Sequence, residues 1–564
     1  MSEMSEVRDV SDVSVVNRRR STLIAAAFSI AFFGVLWITA PSMGITRDES
    51  YYFKAAEEYG RWWDVLFSAR FFDAFKDDEI KRHFSYNTEH PALVKLALGL
   101  GHRFWHDLLG LKSSVQAYRT TGFFFAALSV FATFLLGRAI FSAKVGFIAA
   151  ALLAALPRYF YDAHLACFDV PMTAMWALGL WSFWRALRAP APRRWRTAAL
   201  AGVLFGLALA TKLNAFFLPP LYVLAWLWAA PKGTIWRWSP GPSGGRDWVL
   251  PAIPPALLVP ALLGPIVFFV HWPYLWNAPF TRVAAYIAFH LHHEHYPISY
   301  FHQLLAKPPF PIGFSFVMSA LTLPLPFLLL GAGGLLAATA RMFRRRSAAD
   351  CLLVSATLLP LVMLSLPSTP IFGGVKHWFN AMPTLAVLAA QAIVLGMDAA
   401  GAWISSRTWR PWAASLVAGV ALLPGVLGIG ASHPYGIGFY NEVAGGFRGG
   451  AELGMQRVFW GAAADGLLPF LRDLPPSSQV FFNRSTYDAW RMHRKEGNIR
   501  DDVYYANDAK GAAAAGFNFL QPEHAERLGE IWSSLGTRPI AGIYVDNVPL
   551  AEVYIRGRSD RPPE

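Results

Sequence analysis

The chain has 564 residues, of which 54% are hydrophobic and 15% aromatic, while only 15% are charged. Soluble domains carry about 25% charged residues, so a string of soluble domains is excluded and one large helical membrane domain takes its place. The net charge of +13 sits in short basic clusters between apolar runs, which marks membrane topology and excludes a nucleic-acid partner.

A helix that crosses the hydrocarbon core needs about 20 mostly apolar residues. From Ser21 to Thr46 there is no charged residue, directly after Arg18-Arg19-Arg20. Residues 1–20 are therefore expected as a cytoplasmic tail, and the first span runs from inside to outside. A cleaved signal peptide is the rival reading, but the apolar run is long for one and no small-residue cleavage site follows it. Further spans are expected at about 116–137, 145–161, 169–185, 197–213, 215–231, 250–271, 313–340, 351–367, 378–397 and 412–431, about eleven in all. The alternation can be checked against charge. With the first span leaving the cytoplasm, the inner loops fall at Arg138–Lys144, Arg185–Arg196, Lys232–Arg246, Arg341–Arg346 and Arg407–Arg410, and every one is basic. The short outer loops are nearly free of Lys and Arg, with Arg158, Lys212 and Lys376 as exceptions.

Long outer loops then cover about 41–115 and 272–312, and residues 432–564 form an outer tail. Gln479–Phe482 and Ile543–Val545 read as short strands. The expected fold is an α-helical polytopic membrane protein, with a transmembrane domain over 21–431 and a small C-terminal α/β extracytoplasmic domain. Cys167 and Cys351 both lie in apolar stretches, so neither a disulfide framework nor a Cys-based zinc site is available.

Ionisable groups near span ends carry the functional information in such a chain. Four clusters stand out, all on the outer side. Thr46-Arg47-Asp48-Glu49-Ser50-Tyr51-Tyr52 follows the first span; one carboxylate can enter a cavity while the other caps a helix, or both can serve an ordinary helix N-terminus. Asn87-Thr88-Glu89-His90-Pro91-Ala92-Leu93-Val94-Lys95 brings a carboxylate, an imidazole and an ammonium together, with Pro91 expected to open a helix; a solvated loop is the bland reading. Asp162 and His164, then Asp169-Val170-Pro171, fill a loop too short to project far. Asp169 can face a central cavity or cap its helix, and Asp162 reads as cap or solvent. The tract His290-Leu291-His292-His293-Glu294-His295 would put His290 and Glu294 one helical turn apart, as metal ligands or as a plain helix end. The aromatics Trp62, Trp63, Phe67, Phe71 and Phe72 fit either a helix in the membrane interface or packing of the first loop. There is no P-loop, no Gly-x-Ser-x-Gly elbow and no His-Glu-x-x-His helix. Any activated substrate must therefore arrive from the membrane or the outer aqueous phase.

At these residues the sequence resembles the GT-C superfamily of membrane glycosyltransferases, and within it the dolichyl-phosphate-mannose protein mannosyltransferases and the bacterial lipid A aminoarabinose transferases. Asp48-Glu49 matches the acidic motif that opens their first outer loop. His90-Pro91-Ala92-Leu93-Val94-Lys95 is similar to their His-Pro-Pro-Leu-x-Lys motif, with Ala92 at the second proline. Asp169-Val170-Pro171-Met172-Thr173 fits the acidic stretch that opens the fourth helix in bacterial relatives. Ala210-Thr211-Lys212-Leu213-Asn214, Lys376-His377-Trp378, Tyr440-Asn441-Glu442 and Phe459-Trp460-Gly461 are further echoes. The eukaryotic members' β-trefoil insert is absent, which leaves a protein acceptor in doubt.

The resemblance implies transfer of a hexosyl or pentosyl group, of the inverting type, from a polyprenyl-phosphate-linked donor to an acceptor hydroxyl. It implies Asp48 as the carboxylate base, with Glu49, Glu89 and Asp169 shaping or hydrogen-bonding the acceptor and sugar and His90 among the substrate-binding residues. Lys95, Lys212, Lys307, Lys376 and His377 are the candidates to hold the departing phosphate. No cofactor is expected, and the His tract leaves a divalent metal open. The expected partners are membrane lipid, the lipid-linked donor and a glycan, lipid or protein acceptor, with the site on the periplasmic side of a bacterial inner membrane. A secondary transporter and a polysaccharide polymerase or ligase are the rival readings. The first would call for internal repeats and polar groups at the midplane, and neither is evident.

Overall fold

The structure is a computed structural model that describes residues 2–230, 237–240, 246–249, 252–371, 373–403, 410–518 and 525–557. Helix α1 (Ser2–Thr39) runs unbroken from the basic tail through the first apolar stretch and ends before Pro41, seven residues earlier than the charge-free run. Helices α2 (Arg47–Leu66), α3 (Asp77–Phe84) and α4 (Leu93–His102) build the first long loop. Then come α5 (Ser114–Ile140), α6 (Ala143–Ala154), α7 (Pro157–Ala163), α8 (Asp169–Leu187), α9 (Arg194–Leu209), α10 (Leu218–Ala229) and α11 (Pro255–Val270). The second long loop holds α12 (Pro279–Leu291), and the helical body closes with α13 (Phe314–Thr322), α14 (Leu325–Arg345), α15 (Ala348–Met363), α16 (Met382–Trp403) and α17 (Arg410–Ser432).

Every expected span thus has helix at its place, but two are broken, both at proline. The 145–161 stretch is α6 and α7, bent by 76°, because Pro157 lacks the N–H that would continue the ladder and instead starts the next helix. The 313–340 stretch splits at Leu323-Pro324 into α13 and α14 for the same reason. Among the described residues, four helices are long and apolar enough to cross a membrane alone, or five with the bent pair counted. Leu213–Ala229, Pro255–His271, Ala348–Met363 and Leu416–Ser432 are shorter apolar helices. Where α9 meets α11, a Cβ on Gly206 would lie 2.7 Å from the Gly264 carbonyl; such small residues let membrane helices approach closely. Most of the expected inner loop Lys232–Arg246 and residues 407–409 of the expected loop Arg407–Arg410 lie outside the described residues; Arg237–Pro240 (β1) pairs antiparallel with Arg246–Val249 (β2).

The long loops and the tail gather at one end of the body. In the second loop, Ile298–Tyr300 (β3) and Gln303–Leu305 (β4) form a small hairpin. The tail carries α18 (Gly446–Glu452), α19 (Tyr487–Lys495), α20 (Ala525–Leu535) and a mixed five-stranded sheet. Its strands are β5 (Gln479–Phe482), β6 (Tyr504–Tyr505), β7 (Ala514–Asn518), β8 (Ala541–Val545) and β9 (Val548–Ile555), in the order β6-β5-β7-β9-β8. Both strands expected from sequence are present as β5 and β8. Asp546 and Asn547 turn β8 into β9 with left-handed φ angles of 49° and 61°, the turn that matches the twist of a tight hairpin.

The tail domain docks on the first loop through α19. Ser50 and Thr486 share a 2.7 Å hydroxyl bond, Arg491 pairs with Glu57 at 3.1 Å, and Glu496 accepts from the Val115 amide at 3.0 Å. At the opposite end of the body, Arg138 donates to the Thr22 hydroxyl at 2.6 Å and Lys144 faces Asp398. The acidic motifs and the short basic loops therefore occupy opposite ends. The first-loop aromatics divide: Trp62 is buried and donates its indole N–H to the Ala74 carbonyl, whereas Phe67 and Phe72 are 75% and 81% exposed.

Candidate active site

The turn between α1 and α2 sets the site. Thr46 caps α2, its hydroxyl accepting from the Glu49 amide while the Glu49 carboxylate reaches back to the Thr46 amide, which is a capping box. Glu49 is fully buried, and its two oxygens take 2.8 Å and 2.7 Å bonds from the Arg119 guanidinium and a 3.0 Å bond from the Ala166 amide. Arg119 spends its other N–H groups on the Met43 and Gly44 carbonyls. The pair fixes α1, α2 and α5 to the loop before α8. Both Glu49 oxygens are thus occupied by groups of the protein itself.

With Glu49 turned inward, Asp48 points along the next face of the helix. Its Oδ2 accepts a 2.6 Å bond from Lys376 Nζ, and its side chain keeps 20% exposure. Lys376 also lies 4.3 Å over the Trp460 ring. It stands at the start of a 3₁₀ turn, Gly374–Ala381, whose entry is Gly373 with a left-handed φ of 79°. A Cβ on Gly373 would come within 2.9 Å of His377 Nε2, Trp460 and Lys376 Cε, so only glycine lets these three meet.

A second carboxylate–ammonium pair stands close by. Asp169, at the first position of α8, accepts a 2.6 Å bond from Lys212 Nζ. Lys212 is extended between the end of α9 and the turn Leu213–Phe217, where the helix break frees it to reach across. The charges of Lys376 and His377 also act on Asp169, so both pairs belong to one polar cluster. Asp162, expected as a cap or a solvated residue, is only 4% exposed and feels Lys376, Asp169 and Asp48. Asp162 is buried rather than solvated because α7 follows the sharp bend at Pro157.

The Asn87–Lys95 motif contributes from the side. The His90 ring stacks on Phe168, the residue before Asp169, with centroids 4.7 Å apart. Burial and the Lys212 charge hold its imidazole well below the usual histidine range, so it is neutral near pH 7. Its Nδ1 is buried and makes no hydrogen bond. Glu89 accepts from Asn87 Nδ2, and its carbonyl accepts a 2.9 Å bond from His290 Nε2. Lys95 does not face the cluster. It is fully buried and donates to the Tyr59 hydroxyl and to the Asn87 and His90 carbonyls. All three N–H groups are thereby used within α2 and its own loop. Burial lowers its pKa. The helix here begins at Leu93, two residues after Pro91.

Lys307 is exposed on the second loop after β4. The His tract does not form the expected one-turn pair, because α12 ends at Leu291. Beyond that end Glu294 accepts from Tyr296, while His290 turns to Glu89. Arg119 was legible only as a lone arginine inside an apolar span, a signal that deserved reading as a buried partner.

The site therefore joins two carboxylates, each bound to a lysine, a buried third carboxylate and a neutral imidazole at one end of a helical membrane body. It offers a base and, beside it, fixed positive charge for an anion. Residues 103–258, which hold Arg119, Asp162, Asp169 and Lys212, match the family model described as dolichyl-phosphate-mannose-protein mannosyltransferase. No curated protein matches the sequence. Among solved structures, the apo form of ArnT from Cupriavidus metallidurans is 16% identical, with a TM-score of 0.50 over 95% of this chain and 99% of that one. The archaeal oligosaccharyltransferase AglB from Archaeoglobus fulgidus is 12% identical, with a TM-score of 0.49 over 88% of this chain and 69% of that one. The chain resembles the GT-C membrane glycosyltransferases in fold along nearly its whole length, and in sequence pattern over residues 103–258.

Proposed function

We propose that the protein is a glycosyltransferase that moves a sugar from a polyprenyl-phosphate-linked donor to an acceptor hydroxyl. The observation that carries this reading is the pairing of Asp48 with Lys376 beside Asp169 with Lys212, at the end of a membrane body where a lipid headgroup would arrive. The family whose model matches residues 103–258 is named for a donor of this class. An acceptor oxygen attacks the anomeric carbon, its proton passes to Asp48, and the bond from that carbon to the phosphate oxygen breaks. The polyprenyl phosphate leaves with the electron pair, and in-line attack inverts the anomeric configuration. A positioned carboxylate base contributes about 10²–10⁴-fold. Lys376 and Lys212 stabilise the charge that develops on the leaving phosphate. His377, which shares the Asp169 field, stands with them, and His90 and Glu89 border the sugar.

The basic loops at the opposite end support an orientation with this site outside the cytoplasm. We place it on the periplasmic face of a bacterial inner membrane, with residues 21–431 as the transferase domain and 432–564 as the outer domain. The reading is tested with the purified protein in lipid nanodiscs and polyprenyl-phosphate-sugars extracted from its host. Mass spectrometry should detect free polyprenyl phosphate when the native acceptor pool is added. A folded protein that releases none would overturn the reading.

A further inference from the structure

Helix α4 does not stop at His102 in an ordinary cap. The next six residues, Arg103–Leu108, continue it as a π-turn, and the Leu109 amide reaches back five places to the Phe104 carbonyl at 3.0 Å. The change of pitch decides which side chains share a face. With 3.6 residues per α turn, a residue five places on points about 140° round the axis, whereas one four places on stays close. The i→i+5 closure widens the turn and brings the fourth and the fifth residue to the same side as the first. His102, His106 and Asp107 stand at those places, and their ligand atoms all lie within 4.8 Å of one another. Single π-turns are rare and gather at functional sites.

The three side chains are held as metal ligands need to be. The His102 ring stacks on Tyr118 at 4.2 Å and on His106 at 4.6 Å, and its Nε2 meets the Ser114 hydroxyl at 2.7 Å. A contact on one ring nitrogen orients the other. Burial pushes the His102 imidazole down to about 4, so it is neutral near pH 7, as a ligand nitrogen must be. His106 Nδ1 lies 2.8 Å from Asp107 Oδ1, and Asp107 is exposed. Ligand atoms round a tetrahedral zinc stand about 3.3 Å apart at bond lengths of about 2.0–2.1 Å, so modest rotations close the set. A cavity of about 170 Å³ between α2 and α4 opens on His102 and Asp107 and has room for water ligands. Lys495 also lines it and donates to Ser114 at 3.0 Å. Its charge opposes any cation, so the site suits a metal that bonds strongly to imidazole, such as zinc, rather than calcium or magnesium. We propose that His102, His106 and Asp107 bind one divalent ion of the zinc class, completed by water, where α4 gives way to α5. Lys95 already ties the first turn of α4 to the Asn87–His90 loop; the ion would pin the other end, about 10 Å along the axis.

The test uses the full chain, free of any affinity tag, in nanodiscs first stripped with chelator. Bound zinc is counted after equilibrium dialysis against micromolar Zn²⁺, and Co²⁺ serves as a spectroscopic probe. The wild type should hold one more zinc per chain than His106→Ala, and the visible Co²⁺ bands of nitrogen and oxygen ligation should weaken in that variant. Asp107→Asn, at an exposed position that the fold does not need, should bind this zinc at least about tenfold more weakly. Zinc should raise the thermal unfolding midpoint of the wild type more than that of either variant, because it binds the folded chain. His290→Gln, in the separate histidine tract, should keep the wild-type count. Equal zinc counts and equal affinity in wild type, His106→Ala and Asp107→Asn would overturn the proposal. Displacement of the zinc by an equal concentration of Ca²⁺ would overturn it too, since imidazole ligands do not favour calcium.

Discussion

The Asp48 carboxylate and the Lys376 ammonium, 328 positions apart in the chain, meet at 2.6 Å. This contact ties the first turn of α2 to the entry of α16, and it puts the proposed base next to the charge that would receive the leaving phosphate. Lys376→Met should therefore lower turnover by about 10²–10³-fold, as losing a donor to a developing oxyanion does. Single-turnover kinetics with saturating donor would show the loss in the chemical step.

Asp48 and Glu49 are neighbours with opposite duties. Removing one member of a buried ion pair costs about 3–5 kcal/mol, because the other charge is left uncompensated. Glu49→Gln should thus reduce folded yield and lower the thermal unfolding midpoint, with Arg119→Leu doing the same. Asp48→Asn should lose less stability than Glu49→Gln, because the Asp48 side chain keeps 20% exposure and the Asp169 charge remains near Lys376. Equal destabilisation by Glu49→Gln and Asp48→Asn would contradict the assignment.

Gly373 is the hinge that admits Lys376 and His377 against Trp460. Alanine there meets both a left-handed backbone, which costs about 1–2 kcal/mol, and three atoms closer than contact distance. Displacing a catalytic group by about 1 Å can cost 10²-fold. Gly373→Ala should lose one to two orders of magnitude in turnover while still inserting in the membrane.

His290 gives a pH signature. Burial lowers its pKa to about 4, against the Glu89 carbonyl bond that raises it, whereas the unfolded chain titrates near 6.5. Between those values the unfolded state binds more protons, so stability rises with pH and is lost as pH falls from about 6.5 towards 4. Unfolding curves for His290→Gln over this window should be flatter than those of the wild type. Parallel curves would remove His290 as a source of the slope.

Much of the fold was legible because apolar runs, basic loops and prolines act locally. The span at 116–137 corresponds to α5, and Gln479–Phe482 is a strand as its residues require. The kink at Pro157 was written in the sequence too, but its consequence was not, since Asp162 is buried only through the way α7 folds back. The candidate site was legible as a set of residue types and hidden as an arrangement. The Thr46-x-x-Glu49 spacing marks Glu49 as the capping carboxylate, but its burial is decided by Arg119, 70 positions away. Lys95 looked like a free ammonium next to His90, and only the carbonyls of Asn87 and His90 show that it is spent on its own loop.

The most direct test follows release of free polyprenyl phosphate by mass spectrometry from wild type and Asp48→Asn, both in nanodiscs with the host's lipid-linked sugars and acceptor pool. The account predicts release by the wild type and a drop of at least about 10²-fold in the variant, which still folds and inserts in the membrane. Undiminished release by Asp48→Asn would contradict it and remove Asp48 from the reaction.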